Sequence, residues 1–226
     1  STLANYSSSV GNYDITPTAG SLTSANYVFN FVKGTLSIRK APLTVTADNK
    51  NKIYGAANPQ FTASYAGFKN GESLAYSGVT GSPALTTLAT STSGVGNYDI
   101  SAALGTLSSV NYEFNFVKGT LTIGKATITV TADNKSRLYG GANPVFTSSY
   151  TGFLNGENML NSGITGAPLL TTLATAKSPV GNYEIVPSTG TLLSNNYTFN
   201  FVKGNLAIGK ATVTVIADNK SRIYGD

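Results

Sequence analysis

Apolar and polar residues alternate in short runs along this chain, with a period of two rather than the spacing of a helix. Leu43, Val45 and Ala47 alternate with Thr44 and Thr46, and Ile128 and Val130 alternate with Thr127, Thr129 and Thr131. That is the pattern of a strand with one buried face. Residues 61–68 form a second run, closed by the turn signal Lys69-Asn70-Gly71. Residues 85–89 and 98–102 read as further short strands, and Asn58-Pro59 and Ser82-Pro83 punctuate loops. Residues 72–77, with Leu74 and Tyr76 ahead of Gly78, have room for one helical turn. The pattern predicts an all-β fold with at most that one short helix per unit.

Residues 112–123 carry the clearest local pattern. A two-residue turn at Lys118-Gly119 sets Phe116 opposite Leu121 and Phe114 opposite Ile123, so that four apolar side chains share a face. One long strand bent by a bulge at Gly119 gives the same inward set. The hairpin is the preferred reading, although Lys at a position needing positive φ is unfavourable.

These signals recur at a fixed spacing of 85 residues. Lys40-Ala41 returns as Lys125-Ala126 and Lys210-Ala211, and Val10-Gly11-Asn12-Tyr13 returns at 95–98 and 180–183. Residues 40–124 and 125–209 align without a gap and are identical at 55 of 85 positions. A unit of that length is long for a solenoid coil and right for a small domain. Two complete repeats are expected, 40–124 and 125–209, flanked by the back of one repeat at 1–39 and the front of another at 210–226. The outer pieces lack the equivalents of residues 57–85, so they are expected to expose Phe29, Phe31, Leu36 and Ile38 and an unpaired strand edge. Both ends fall mid-repeat, which reads as a segment of a longer array. Only Gly124-Lys125-Ala126 separate the last strand of one repeat from the first of the next, a junction that predicts a semi-rigid, elongated rod of mainly antiparallel β domains.

Composition narrows the chemistry. Cys, His and Trp are absent and Met occurs once, which removes the commonest general base, the thiol nucleophile and most transition-metal ligands. Charged residues make up 11%, against roughly a quarter in soluble domains. The formal charge of +5 is a small excess. Lys50, Lys52, Lys135, Arg137, Lys220 and Arg222 gather near Asp48, Asp133 and Asp218, a mixed solvated patch and not a nucleic-acid footprint. No apolar run approaches the ~20 residues of a membrane helix, so membrane insertion is not expected.

Five motifs in fixed order carry a resemblance. They are Tyr54-Gly55-Ala56-Ala57-Asn58-Pro59, Gly67-Phe68-Lys69-Asn70-Gly71, Val95-Gly96-Asn97-Tyr98-Asp99-Ile100, Asn111-Tyr112, and Val117 through Ala126. The unit resembles the MBG (mostly-β, glycine-rich) or YDG-type repeat of long bacterial surface and exported proteins. Both full copies carry the motifs, so the resemblance covers essentially the whole chain. Family members commonly place Asp after the Tyr-Gly pair, which here holds only at Asp226, with Ala56 and Gly141 elsewhere. The resemblance implies a secreted or cell-surface location and a stalk or adhesive array of the haemagglutinin-like or biofilm kind. It supplies no ligand.

A search for chemistry yields no catalytic, cofactor-binding or metal-binding residue. Asp48, Glu72, Asp99 and Glu113 stand too far apart in sequence for a calcium loop. Tyr13, Tyr98 and Tyr183 recur, as do Tyr27, Tyr112 and Tyr197, and Tyr54, Tyr139 and Tyr224. Exposed rows of Tyr can stack on sugars, but Tyr with its hydroxyl at the core edge is the commoner arrangement. Tyr76 faces Asn161 across the alignment and is expected to be exposed. Alternating Thr residues form too small an array for ice binding. The expected function is a non-catalytic stalk of an adhesin, the alternative a module binding polysaccharide or like repeats on other cells. The expected partners are neighbouring repeats of the same chain, with no nucleic acid and no cofactor.

Overall fold

A computed structural model describes residues 1–225. Among the described residues there are sixteen strands and no helix. The chain divides into two compact units, Ser1–Gly124 and Lys125–Asp226.

The first unit opens with β1 (Gly11–Ile15) and β2 (Gly34–Ile38), an antiparallel pair standing alone as a two-stranded sheet. A complete repeat follows. Its strands are β3 (Ala41–Ala47), β4 (Lys50–Ile53), β5 (Ala63–Ala66), β6 (Ala84–Thr86), β7 (Gly96–Ala103), β8 (Tyr112–Val117) and β9 (Gly119–Gly124). They form a three-stranded sheet ordered β5-β3-β8 and a four-stranded sheet ordered β4-β9-β7-β6. The period-two reading of β3 holds: Leu43, Val45 and Ala47 are buried while Thr44 and Thr46 lie on the other face. They pack toward Ile100 of β7 and Leu121 and Ile123 of β9, all six removed from water. At about 1.5–3 kcal/mol for each large side chain, this strip is the main cohesive element of the repeat.

The preferred hairpin at Lys118-Gly119 is not formed. β8 belongs to the first sheet and β9 to the second; β8 pairs parallel with β3, and β9 pairs parallel with β4 and antiparallel with β7. Asn70 and Asn155 are the non-glycine residues with positive φ, and Lys118 is not among them. The chain instead turns a corner from one sheet into the other. Residues 41–53 turn the same corner alongside, and the pairing offset is unchanged across it: Ala41 faces Tyr112, and Lys50 faces Leu121. No extra residue is inserted, so this is not a bulge either. Gly119 is required because its Cα lies against the Ala47 carbonyl, where a Cβ would come to 2.2 Å. The inward set survives in part, with Leu121 and Ile123 buried and Phe114 and Phe116 half-buried.

Residues 72–77 form no helix. The Tyr76 N–H donates to the Ser73 carbonyl at 3.0 Å, closing one tight turn. β4, a charged run that alternation did not reveal, is a strand because β9 supplies its ladder. Each repeat has three antiparallel and two parallel strand pairings, so the sheets are mixed.

The second unit repeats this plan with β10 (Ala126–Ala132), β11 (Lys135–Leu138), β12 (Ser148–Thr151), β13 (Leu169–Thr171), β14 (Gly181–Ser188), β15 (Tyr197–Val202) and β16 (Gly204–Gly209). Its sheets are β12-β10-β15 and β11-β16-β14-β13. Ala132, Ala174, Ile185, Leu206 and Ile208 form a core cluster, with Phe146, Leu170 and Tyr183 packed against it. Residues 210–225 contain no strand.

Candidate functional site

The recurring motifs of the repeat take three different places. The Tyr-Gly-x-x-Asn-Pro loop is a fastening. Asn58 donates from Nδ2 to the Ala89 carbonyl at 2.7 Å, and Lys52 donates from Nζ to the carbonyls of Ala56 and Thr90 at 2.9 and 2.7 Å. Partial burial holds the Lys52 ammonium below its ordinary pKa. Asn143 and Arg137 repeat these contacts, to Ala174 and Thr175 respectively. Part of the basic patch is therefore structural: Lys52 and Arg137 stitch β4 and β11 to the loops carrying Ala89 and Ala174.

The Gly-Phe-x-Asn-Gly segment is a latch. Asn70 and Gly71 both take positive φ, 54° and 73°, as the centre of a tight turn closed by the Glu72 N–H on the Lys69 carbonyl at 2.9 Å. The turn aims Lys69 and Glu72 at Tyr112. The Tyr112 hydroxyl donates to Glu72 Oε2 at 2.6 Å and accepts from the Lys69 N–H at 2.9 Å, while Phe68 meets the ring edge-on. Burial first, and then the bond to Glu72, raise the phenol pKa above its usual value. In the second unit Tyr197, Glu157, Leu154 and Phe153 make the same arrangement. A cleft of about 290 Å³ opens beside Tyr112, lined in part by Arg39, Lys69 and Glu72. Its one carboxylate, Glu72, is engaged by the Tyr112 hydroxyl, so the pair acts as a fastening between the turn and β8.

The Val-Gly-Asn-Tyr motif lines a surface cleft. In the first repeat a cleft of about 580 Å³ is walled by Thr86, Thr87, Leu88, Asn97, Tyr98 and Asp99, with Lys118 at its rim. Its counterpart of about 480 Å³ has Thr171, Thr172, Leu173, Asn182, Tyr183 and Glu184. A related cleft between residues 1–3 and Tyr13 is lined by Leu3, Asn12, Asp14 and Lys33. Leu88 and Leu173 are each 98% exposed, although Leu is a core residue elsewhere in the repeat. The carboxylate on each cleft is ion-paired: Asp99 with Lys118 at 2.7 Å, Glu184 with Lys203 at 2.8 Å and Asp14 with Lys33 at 2.8 Å. These pairs are solvated and add little stability.

The tyrosines accordingly divide. Tyr112 and Tyr197 are core residues, Tyr98 and Tyr183 are half-buried in cleft walls, and Tyr76 is exposed as expected. Tyr54 is buried while Tyr139 and Tyr224 are exposed. The carboxylates are dispersed in space as in sequence. Asp48 accepts from the Thr62 hydroxyl, Asp99 pairs with Lys118 and Glu72 holds Tyr112. Among the described residues no three metal-ligating side chains converge, and no helix is long and apolar enough to cross a membrane. Asp226 lies outside the described residues. The sequence reading named no site residue; the clefts escaped it because Leu88 and Thr87 read as the continuation of a strand that ends at Thr86.

Comparison with known proteins agrees with the motifs. The sequence profile of the MBG domain (YGX type) matches the chain twice, at residues 43–122 and 128–207. No curated protein matches it.

Proposed function

The chain belongs to the family of YGX-type MBG domains, and on that premise we propose that it is a load-bearing, non-catalytic stalk segment of a bacterial surface or secreted adhesin. The observation that carries this reading is the pairing of each repeat's first strands with its last. β3 and β4 run parallel to β8 and β9 in an unbroken register, six paired positions in one sheet and four in the other. β10 and β11 do the same with β15 and β16. Tension entering at the front of a repeat and leaving at its back pulls these parallel strands past one another. All the ladder bonds are then loaded together, whereas an antiparallel terminal pair would open one bond at a time. Such an arrangement suits a module that must hold something away from a cell under drag. The composition, poor in catalytic residue types, supports the same reading.

Stretching single molecules tests it. The expected trace shows high-force unfolding events, each releasing roughly 300 Å of chain less the folded length, from 85 residues at the extended rise. Opening at forces near the noise would rule the stalk reading out.

A second reading is favoured by the recurring clefts. A half-buried Tyr ring, an Asn amide and a solvent-facing Leu beside a charged pair make a shallow surface suited to sugar rings. Weak sites presented once per repeat would sum by multivalency. Saturable retention of the chain on immobilised polysaccharides supports it, and the absence of retention on a broad glycan array counts against it.

A further inference from the structure

β7 is longer than the strand that borders it. Its residues Gly96–Ile100 pair with β9, and Ser101–Ala103 pair with β6, whose last residue is Thr86. The β6 side of Gly96–Ile100 therefore carries no strand. The chain leaves β6 because Ala89 is drawn into the core, with its carbonyl held by Asn58 Nδ2 at 2.7 Å. Leu88 is left in solvent, and the cleft of Thr87, Leu88 and Tyr98 lies between the departing chain and the uncovered stretch of β7. β14 outruns β13 in the same way. β13 ends at Thr171, opposite Val186, and the buried Ala174 is held by Asn143. Each complete repeat thus builds the cleft from its own strands.

The polar groups on the cleft are fixed before any ligand arrives. Asn97 Oδ1 accepts from the Thr122 hydroxyl at 2.9 Å, and Asn182 Oδ1 accepts from Asn205 Nδ2 at 3.0 Å. In β1, Asn12 Oδ1 accepts from the Ser37 hydroxyl at 2.7 Å. Three different donors hold the amide the same way round, and its two N–H groups stay available to a ligand. Two residues further on, Asp99 gives Oδ2 to Lys118 and Glu184 gives Oε2 to Lys203, which leaves the other carboxylate oxygen as an acceptor. The Tyr98 and Tyr183 hydroxyls donate to the carbonyls of Gly94 and Pro179, each at 3.0 Å. Their rings offer the cleft apolar surface alone.

We propose that each cleft binds one uncharged hexopyranose unit of a polysaccharide, the Asn amide donating to one sugar hydroxyl and the free carboxylate oxygen accepting from a second. A hydroxyl can play either part, and the C–H face of a pyranose matches the Tyr ring and the exposed Leu. A uronate would bring a second negative charge beside Asp99 or Glu184, whose lysine is already engaged, and like charges oppose docking. That assignment rests on the polysaccharide reading and goes further, to the charge of the sugar and the two side chains that read it.

Titration of the isotope-labelled chain with laminarin, pullulan and galactomannan, and with alginate and polygalacturonate, tests it by NMR. At least one of the three neutral polymers should shift the amides of residues 86–88 and 97–99 and of their counterparts in the second repeat. It should bind about tenfold or more tightly than either uronate. The triple change Asn12→Asp, Asn97→Asp and Asn182→Asp keeps the oxygen that Ser37, Thr122 and Asn205 hold and deletes only the free N–H donors. It should weaken neutral binding about tenfold or more and leave the melting temperature little altered. Tighter binding of a uronate, or neutral binding that survives the triple change, overturns this assignment and leaves the polysaccharide reading standing. No shift with any of the five polymers overturns both. The stalk reading rests on the parallel ladders and is untouched by either result.

Discussion

Gly119 and Ala47 meet backbone to backbone where two parallel strands leave one sheet for the other, so closely that a Cβ on Gly119 would stand 2.2 Å from the Ala47 carbonyl oxygen. Gly204 and Ala132 repeat the contact at 2.3 Å. The contact explains why Lys118-Gly119 resembles a hairpin turn in sequence. The glycine is demanded by close approach of another chain segment, and a turn signal and a close-approach signal are the same letter.

Gly119→Ala is therefore expected to destabilise the first repeat by about 1–3 kcal/mol, because neither backbone can retreat without breaking its ladder. Urea unfolding measures it. A variant as stable as the parent would mean that the corner yields freely. Gly34→Ala, the same change where only the Ile15 side chain lies within 4 Å at ordinary contact distance, supplies the control.

Local pattern made the short strands legible. β3 and β10 follow from alternation alone, and the Asn70-Gly71 turn followed from its residue types. The sheet partners did not follow. β8 and β9 are adjacent in sequence and complementary in pattern, yet their parallel partners, β3 and β4, lie 71 residues upstream. Parallel pairing across a whole repeat leaves no local mark, and β4 lacks even alternation. The latch was equally silent, since Glu72 and Tyr112 are 40 positions apart.

Tyr112→Phe removes the hydroxyl that Glu72 and the Lys69 N–H share, and should cost about 1–3 kcal/mol by leaving both partners unsatisfied. The phenol pKa is raised in the folded state, by burial and by Glu72. Folding thus favours the protonated phenol. That contribution is fully present below the unfolded value of about 10, and is lost as pH climbs from there through the raised folded value. Melting curves in alkaline buffers should show a loss of stability above pH ~10 that is smaller in Tyr112→Phe. An identical alkaline profile in the two proteins would remove Tyr112 as its source.

Leu88 and Leu173 separate binding from folding. Both side chains are almost wholly in solvent, so the double change to Ser should alter stability by no more than about 0.5 kcal/mol. If the clefts take polysaccharide, the same variant loses retention on the immobilised glycan. Unaltered retention would move the sugar contact elsewhere on the surface.

The mechanical reading makes a directional prediction that depends on where the force enters. Ala41 and Tyr112 mark one end of the parallel ladder, and Ile53 and Gly124 mark the other. The chain contains no Cys, so pairs of introduced thiols can serve as unique handles. Handles at Lys40→Cys and Lys125→Cys pull the strands in opposite directions along their length, loading all ten register pairs together. Handles at Lys40→Cys and Asn111→Cys grip the same end of the ladder and peel it one pair at a time. The repeat, its core and its equilibrium stability are the same in both experiments. Forced unfolding is governed by the barrier along the pulling direction and not by equilibrium stability. The first geometry should therefore yield at several times the force of the second. Equal forces would show that the ladder is not what resists, and that the buried strip of Leu43, Val45, Ile100, Leu121 and Ile123 bears the load instead.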